Sequence, residues 1–125
     1  MRRAIDLAVA RMGDTWPNPS VGCVIVKDGT LMAEAATAAG GRPHAEEQAT
    51  PAAGDGAKGA TAYVTLEPCG ARSSGRQSCA HHLIEAGITR VVIACLDPSP
   101  FASGRGMERL RQAGLQVESG VLGDD

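Results

Sequence analysis

VGCVIVKDGTLMAEA spans residues 21–35. Two apolar runs, 21–26 and 30–35, flank Lys27-Asp28-Gly29. Asp-Gly between such runs is a hairpin signal, because the tight turn favoured by twisted strands needs residues that accept positive φ. The stretch therefore predicts two antiparallel strands, and the rest of the chain is organised around them. Upstream, Ile5, Ala8, Val9 and Met12 recur at helical spacing and predict an amphipathic helix over 2–12, ended by Gly13. TWPNPS (15–20) is a loop whose two prolines restrict the backbone around Asn18. Downstream, GGRP (40–43) breaks the chain, a short helix starts near His44 and is limited by Pro51 or Gly54, and 52–60 is a loop of small residues. TAYVTL (61–66) is a strand. A helix over 79–86 turns Ala80, Leu83 and Ile84 inward and stops at Gly87. VVIAC (91–95) is a continuous apolar strand of the kind buried on both faces. DPSP (97–100) is a turn. A last helix, 105–113, buries Met107 and Leu110, stops at Gly114 and is followed by the strand LQVES (115–119). Helix, hairpin, then alternating helix and strand predict an α/β layered fold with a mixed five-stranded sheet.

Composition narrows the function. The chain has 125 residues, which predicts one domain, 1–125, with a core of its own. The aromatics are Trp16, Tyr63 and Phe101, so Val, Ile, Leu, Ala and Met must build that core. A net charge of −2 and so few stacking rings speak against nucleic acid as a partner. No apolar run is long enough for a membrane span. The N-terminal MRRAIDLAVARMG mimics a signal peptide, but Asp6 and Arg11 interrupt it. A cytoplasmic, reducing location follows as the expectation, with free thiols or metal ligands favoured over disulfides.

The chemistry concentrates in His44-Ala45-Glu46, Pro68-Cys69 and Cys79, the last two at the ends of EPCGARSSGRQSC (67–79). Taken alone, that stretch is open to three readings: zinc ligands, a disulfide loop, or two unrelated thiols. A histidine or glutamate at a helix start is commonly solvated, and a single cysteine in a strand is commonly a small buried hydrophobe, the role assigned to Cys23 and Cys95. The ensemble says more. His-x-Glu, then Pro-Cys directly after a strand, then a cysteine opening a helix is the order found in zinc deaminases. Three ligands with an open fourth position suit catalytic zinc, which lowers the pKa of a bound water, and Glu46 would shuttle its proton. Residues two apart diverge in mid-helix but approach a common site at a helix start, which Pro43 favours.

On these motifs the chain resembles the zinc-dependent nucleobase deaminases of the cytidine-deaminase-like superfamily, with a three-layer α/β/α fold. The superfamily signature closes with Pro-Cys-x-x-Cys. Here the cysteines lie ten positions apart, unlike cytidine and tRNA adenosine deaminases, and similar to the pyrimidine deaminases of riboflavin biosynthesis. PNPSVGCVIVKDG (17–29), GGRPHAEEQA (40–49), AKGATAYVTLEPC (57–69), LIEAGITRVVIACLDPSP (83–100) and GRGMERLRQAGLQVESGVL (104–122) carry the same resemblance. It implies His44, Cys69 and Cys79 as ligands of Zn2+, Glu46 as general acid and base, and Asn18 near the substrate base. It further implies hydrolytic deamination of 2,5-diamino-6-(5-phosphoribosylamino)pyrimidin-4(3H)-one and a homo-oligomer. The family joins a reductase domain to the deaminase; none is expected within 1–125, which leaves either a stand-alone deaminase with a separate reductase as partner or a deaminase piece of a longer chain.

The insert GARSSGRQSC departs from the family's Ser-His-x-Gly-Lys/Arg-Thr-Pro-Pro-Cys: it is one residue longer and lacks the histidine. Gly75-Arg76 stands where the family has Gly-Arg. Arg72 and Arg76 offer planar multi-donor forks suited to a substrate phosphate, the alternative being a solvated loop. Ser78 is placed as a helix N-cap. His81, His82 and Arg105 receive no role. The altered insert keeps a deaminase of another small base, guanine- or pterin-like, as a second reading, and a non-catalytic partner sharing the fold as a third.

Overall fold

A computed structural model describes residues 1–10, 21–37, 45–66, 79–95 and 105–119. The hairpin forms as the sequence predicts. Strand β1 (Gly22–Lys27) pairs antiparallel with β2 (Thr30–Ala36), closing at Lys27 opposite Thr30. Asp28 (φ 52°) and Gly29 (φ 78°) supply the two left-handed residues of the turn. The register shifts between Ile25 and Val26, because Ile25 faces Ala33 while Val26 faces Leu31. Met32 is the extra residue of this bulge.

Three more strands complete the sheet: β3 (Thr61–Leu66), β4 (Arg90–Cys95) and β5 (Gln116–Ser119). The order is β2-β1-β3-β4-β5, with β1 antiparallel to β3, and β3, β4 and β5 mutually parallel. The mixed five-stranded sheet is as expected. Parallel neighbours need crossovers; helix α3 (Cys79–Glu85) lies in the β3–β4 connection and α4 (Arg105–Gln112) in the β4–β5 connection. Each ends in the same hydrogen-bonded cap. Ile88 N–H donates to the Leu83 carbonyl and Gly87 N–H to that of Ile84; Leu115 and Gly114 repeat the pattern on Leu110 and Arg111.

Helices cover both faces. On one, helix α2 (Ala45–Ala53) joins α3 and α4. Their Ala45, Ala49, Ala80, Leu83, Met107 and Leu110 pack with Cys23, Ile25, Ala62, Val64, Val91 and Ile93 of the sheet. The alternate residues of the same strands turn to the other face, where helix α1 (Arg2–Ala10) crosses β1, β2 and β3. Gly22 makes that crossing possible, since a β-carbon there would collide with the carbonyl of Ala4. The Arg3 guanidinium grips Glu34 of β2 with two hydrogen bonds, 2.6 and 2.7 Å. These bonds and the attraction behind them lower the Glu34 carboxyl and raise the Arg3 guanidinium from their ordinary values. β4 is closed on both sides, with Val91 and Ile93 fully buried on one and Val92 and Ala94 nearly so on the other.

The elements depart from the sequence expectations in two places. The stripe on α1 is not the expected one: Ala4 is fully buried, whereas Val9 is 58% exposed, because the close approach at Gly22 selects a small residue. Helix α2 passes through Pro51 and ends before Gly54, the second of the two limits expected for it. Pro51 is exposed, and Thr50 donates its hydroxyl to the Glu46 carbonyl at 2.9 Å, so a side chain takes part in the turn that proline weakens. Part of the expected loop 52–60 is a 3-10 turn, Gly54–Ala57, whose Ala57 is fully buried and whose Gly56 lies against Met32.

Candidate active site

Glu46 sits in the first turn of α2, next to Glu47. Two carboxylates there complement the positive end of the helix dipole. Glu47 is half-buried, whereas Glu46 is only 3% exposed. Below it is Cys23 of β1, fully buried and a free thiol. Burial pushes this thiol well above its ordinary value, and the negative charge of Glu46 pushes it further, so Cys23 is held neutral. It is inert core, as the sequence suggests for it. A buried carboxylate is costly to hold for packing alone, which makes Glu46 a candidate for a working role.

Helix α2 packs against α3. The first residue of α3 is Cys79, so the cysteine expected to open a helix does so. The structure thus brings the first turn of α2 and the start of α3 to adjacent helices on one face of the sheet. The side chain of Cys79, together with His44, Cys69, Asn18, Arg72 and Arg76, lies outside the described residues, as do the side chains of Cys95 and Arg105. His81 is half-buried and forms an i,i+4 pair with Glu85 at 2.9 Å. His82 is half-buried in the last turn of α3.

One end of the sheet carries a group of polar side chains that spacing alone does not single out. Thr37 follows β2 and is 1% exposed. It receives the Val21 N–H on its hydroxyl at 2.9 Å and donates its own N–H to the Val21 carbonyl at 2.9 Å. Next to it, Gly22 N–H donates to the Thr65 hydroxyl of β3 at 3.0 Å. Gln48 of α2 donates its amide to the Ala36 carbonyl at 2.7 Å. In the sequence these residues look like ordinary strand threonines and a helix glutamine; only the juxtaposition of the strand ends gives them partners.

The donor set suits zinc. One imidazole and two thiolates are its usual ligands, with a buried carboxylate two positions from the histidine to handle protons. Among the described residues no three potential ligands converge; His44, Cys69 and the side chain of Cys79, the three expected ligands, all lie outside them. Among the described residues, no helix is long and apolar enough to cross a membrane.

Comparison with known proteins agrees with the geometry. The family model described as "Cytidine and deoxycytidylate deaminase zinc-binding region" matches residues 1–95. The riboflavin biosynthesis protein RibD of Escherichia coli (strain K12) is 50% identical over 122 residues, covering 98% of this chain and 33% of its own length. The diaminohydroxyphosphoribosylamino-pyrimidine deaminase of Buchnera aphidicola is 45% identical, covering 98% of this chain and 82% of its own length. The solved structure of Acinetobacter baumannii RibD, form 2, superposes with a TM-score of 0.93 at 48% identity, over 98% of this chain and 34% of that one. The chain spans about a third of the length of the RibD proteins it matches. A buried glutamate at the start of one helix and a cysteine opening its neighbour, on a mixed β2-β1-β3-β4-β5 sheet, thus meet a family match over most of the chain: this protein belongs to the cytidine and deoxycytidylate deaminase zinc-binding family.

Proposed function

We propose that residues 1–125 act as one cytoplasmic deaminase domain that hydrolyses the amino group of 2,5-diamino-6-(5-phosphoribosylamino)pyrimidin-4(3H)-one in riboflavin biosynthesis. The observation that carries the reading is Glu46, a carboxylate 3% exposed in the first turn of α2. Identity of 45–50% to RibD and pyrimidine deaminase relatives supports the substrate class. A homo-oligomer and a reductase acting on the product complete the proposal.

His44, Cys69 and Cys79 would hold Zn2+, which when bound supplies a water of near-neutral pKa. The net change would replace the amino group on the ring carbon with a carbonyl oxygen from water and release ammonia. Glu46 would take one proton from the water and pass it to the ring nitrogen, then take the second from the hydroxyl left on the ring carbon and pass it to the departing amine. Its enclosure keeps bulk water from competing for that proton. Asn18 orients the base. Arg76, with Arg72, pairs with the phosphate, where an arginine fork makes charge-assisted bonds.

Ammonia release is the test. The zinc-loaded protein is incubated with the phosphoribosyl pyrimidine and, separately, with free guanine, a pterin and cytosine. Turnover is expected with the first. Turnover of a free base alone would replace this reading with that of a deaminase for another small base.

A further inference from the structure

At one corner of the sheet, hydrogen bonds join Val21 just before β1, Thr37 just after β2, Thr65 near the end of β3 and Gln48 of α2, and each lies within seven positions of a predicted site residue: Asn18, His44, Cys69 and Glu46. Side chains make the joins. The Thr37 hydroxyl receives the Val21 N–H at 2.9 Å beside a backbone bond between the same two residues, Thr65 receives the Gly22 N–H at 3.0 Å, and Gln48 donates to Ala36 at 2.7 Å. The Thr65 contact replaces a ladder bond. The β1–β3 pairing reaches Cys23 opposite Val64 and goes no further, whereas β3 stays paired with β4 to Leu66 opposite Cys95. β3 therefore leaves β1 at Thr65, and a hydroxyl spans the gap.

We propose that Thr65, Thr37 and Gln48 are positioning residues, a polar clamp that fixes the spacing between the Glu46 turn and the chain exits leading to Asn18, His44 and Cys69. This rests on the deaminase reading above. A strand end tied only by its own ladder frays; one tied by side chains to its neighbour and to α2 holds its register.

Thr65→Val keeps the shape and removes the acceptor, and Thr65→Ser restores it. Two quantities are read on the full chain: kcat for ammonia release from the phosphoribosyl pyrimidine, and the half-life of bound zinc against a chelating dye. Thr65→Val is expected to lower kcat by about tenfold with KM unchanged, and to shorten zinc retention about as much, as loss of a group supporting a metal site does. Thr65→Ser recovers both. Should Thr65→Val not fold, Gln48→Met carries the same expectation for kcat. A folded Thr65→Val or Gln48→Met protein with a lowered Tm but wild-type kcat and zinc release overturns the clamp. Wild-type protein that binds no zinc and releases no ammonia overturns the deaminase reading instead, and the clamp with it.

Discussion

Glu46 is the residue on which the proposed chemistry turns. Buried in the first turn of α2, it has a packing role and, on the proposed reading, a proton-transfer role, and Glu46→Gln separates them. The variant should keep its fold and its zinc and lose turnover by roughly a thousandfold, the scale of a lost general acid and base; metal analysis alongside ammonia release checks both halves. Beneath it, Cys23 makes a pH prediction. Its thiol is raised above the ordinary 9.0 by burial first and by the Glu46 charge second. The folded thiol therefore keeps its proton at pH values where the unfolded one loses it. The stability this confers is whole below the unfolded value and is lost as pH climbs from about 9 towards the folded value, at about 1.4 kcal/mol per pH unit. Urea titrations of wild type and Cys23→Ala between pH 8 and about 10.5 should show this extra slope in wild type only. The sequence marked both residues, Glu46 by its motif and Cys23 by its strand pattern. It did not show that they face one another, because that depends on how α2 lies on β1.

At the scale of elements, the sharpest constraint is the crossing of α1 over β1. Helix and strand meet at Ala4 and Gly22, with no room for a β-carbon. Gly22→Ala should lift α1 from the sheet and cost about 1–3 kcal/mol, and the loss should appear as a lowered denaturation midpoint. Leu83, fully buried where α3 meets the core, should cost about 2–5 kcal/mol as Leu83→Ala. The hairpin and helices α3 and α4 were legible because their signals are local: Asp-Gly between two strands, and glycines at helix ends. The bulge at Met32, the buried stripe of α1 and the 3-10 turn after α2 were not, because each answers to a neighbour. Met32 meets Gly56, Ala4 meets Gly22, and Ala57 joins the core. A proline inside α2 looks like a stop until its exposed position is known.

Across the whole molecule, the sheet is thickest at its centre. β4 is closed on both faces, whereas β5 is an edge strand with only Val117 packed against the core. Amide hydrogen exchange should therefore be slowest in β1, β3 and β4 and fastest in β5. Exchange as slow in β5 as in β4 would show that the edge is covered. The sequence by itself determined the order of elements, the mixed sheet and the list of chemical candidates, since periodicity, turn chemistry and ligand spacing are written along the chain. Tertiary structure alone decided which faces pair and which distant residues meet. It set Glu46 over Cys23, and α2 beside α3. It also made Thr37, Thr65 and Gln48 partners of the backbone of other elements. These contacts join residues up to 43 positions apart, and a pattern with a period of two or 3.6 residues carries no information over that separation.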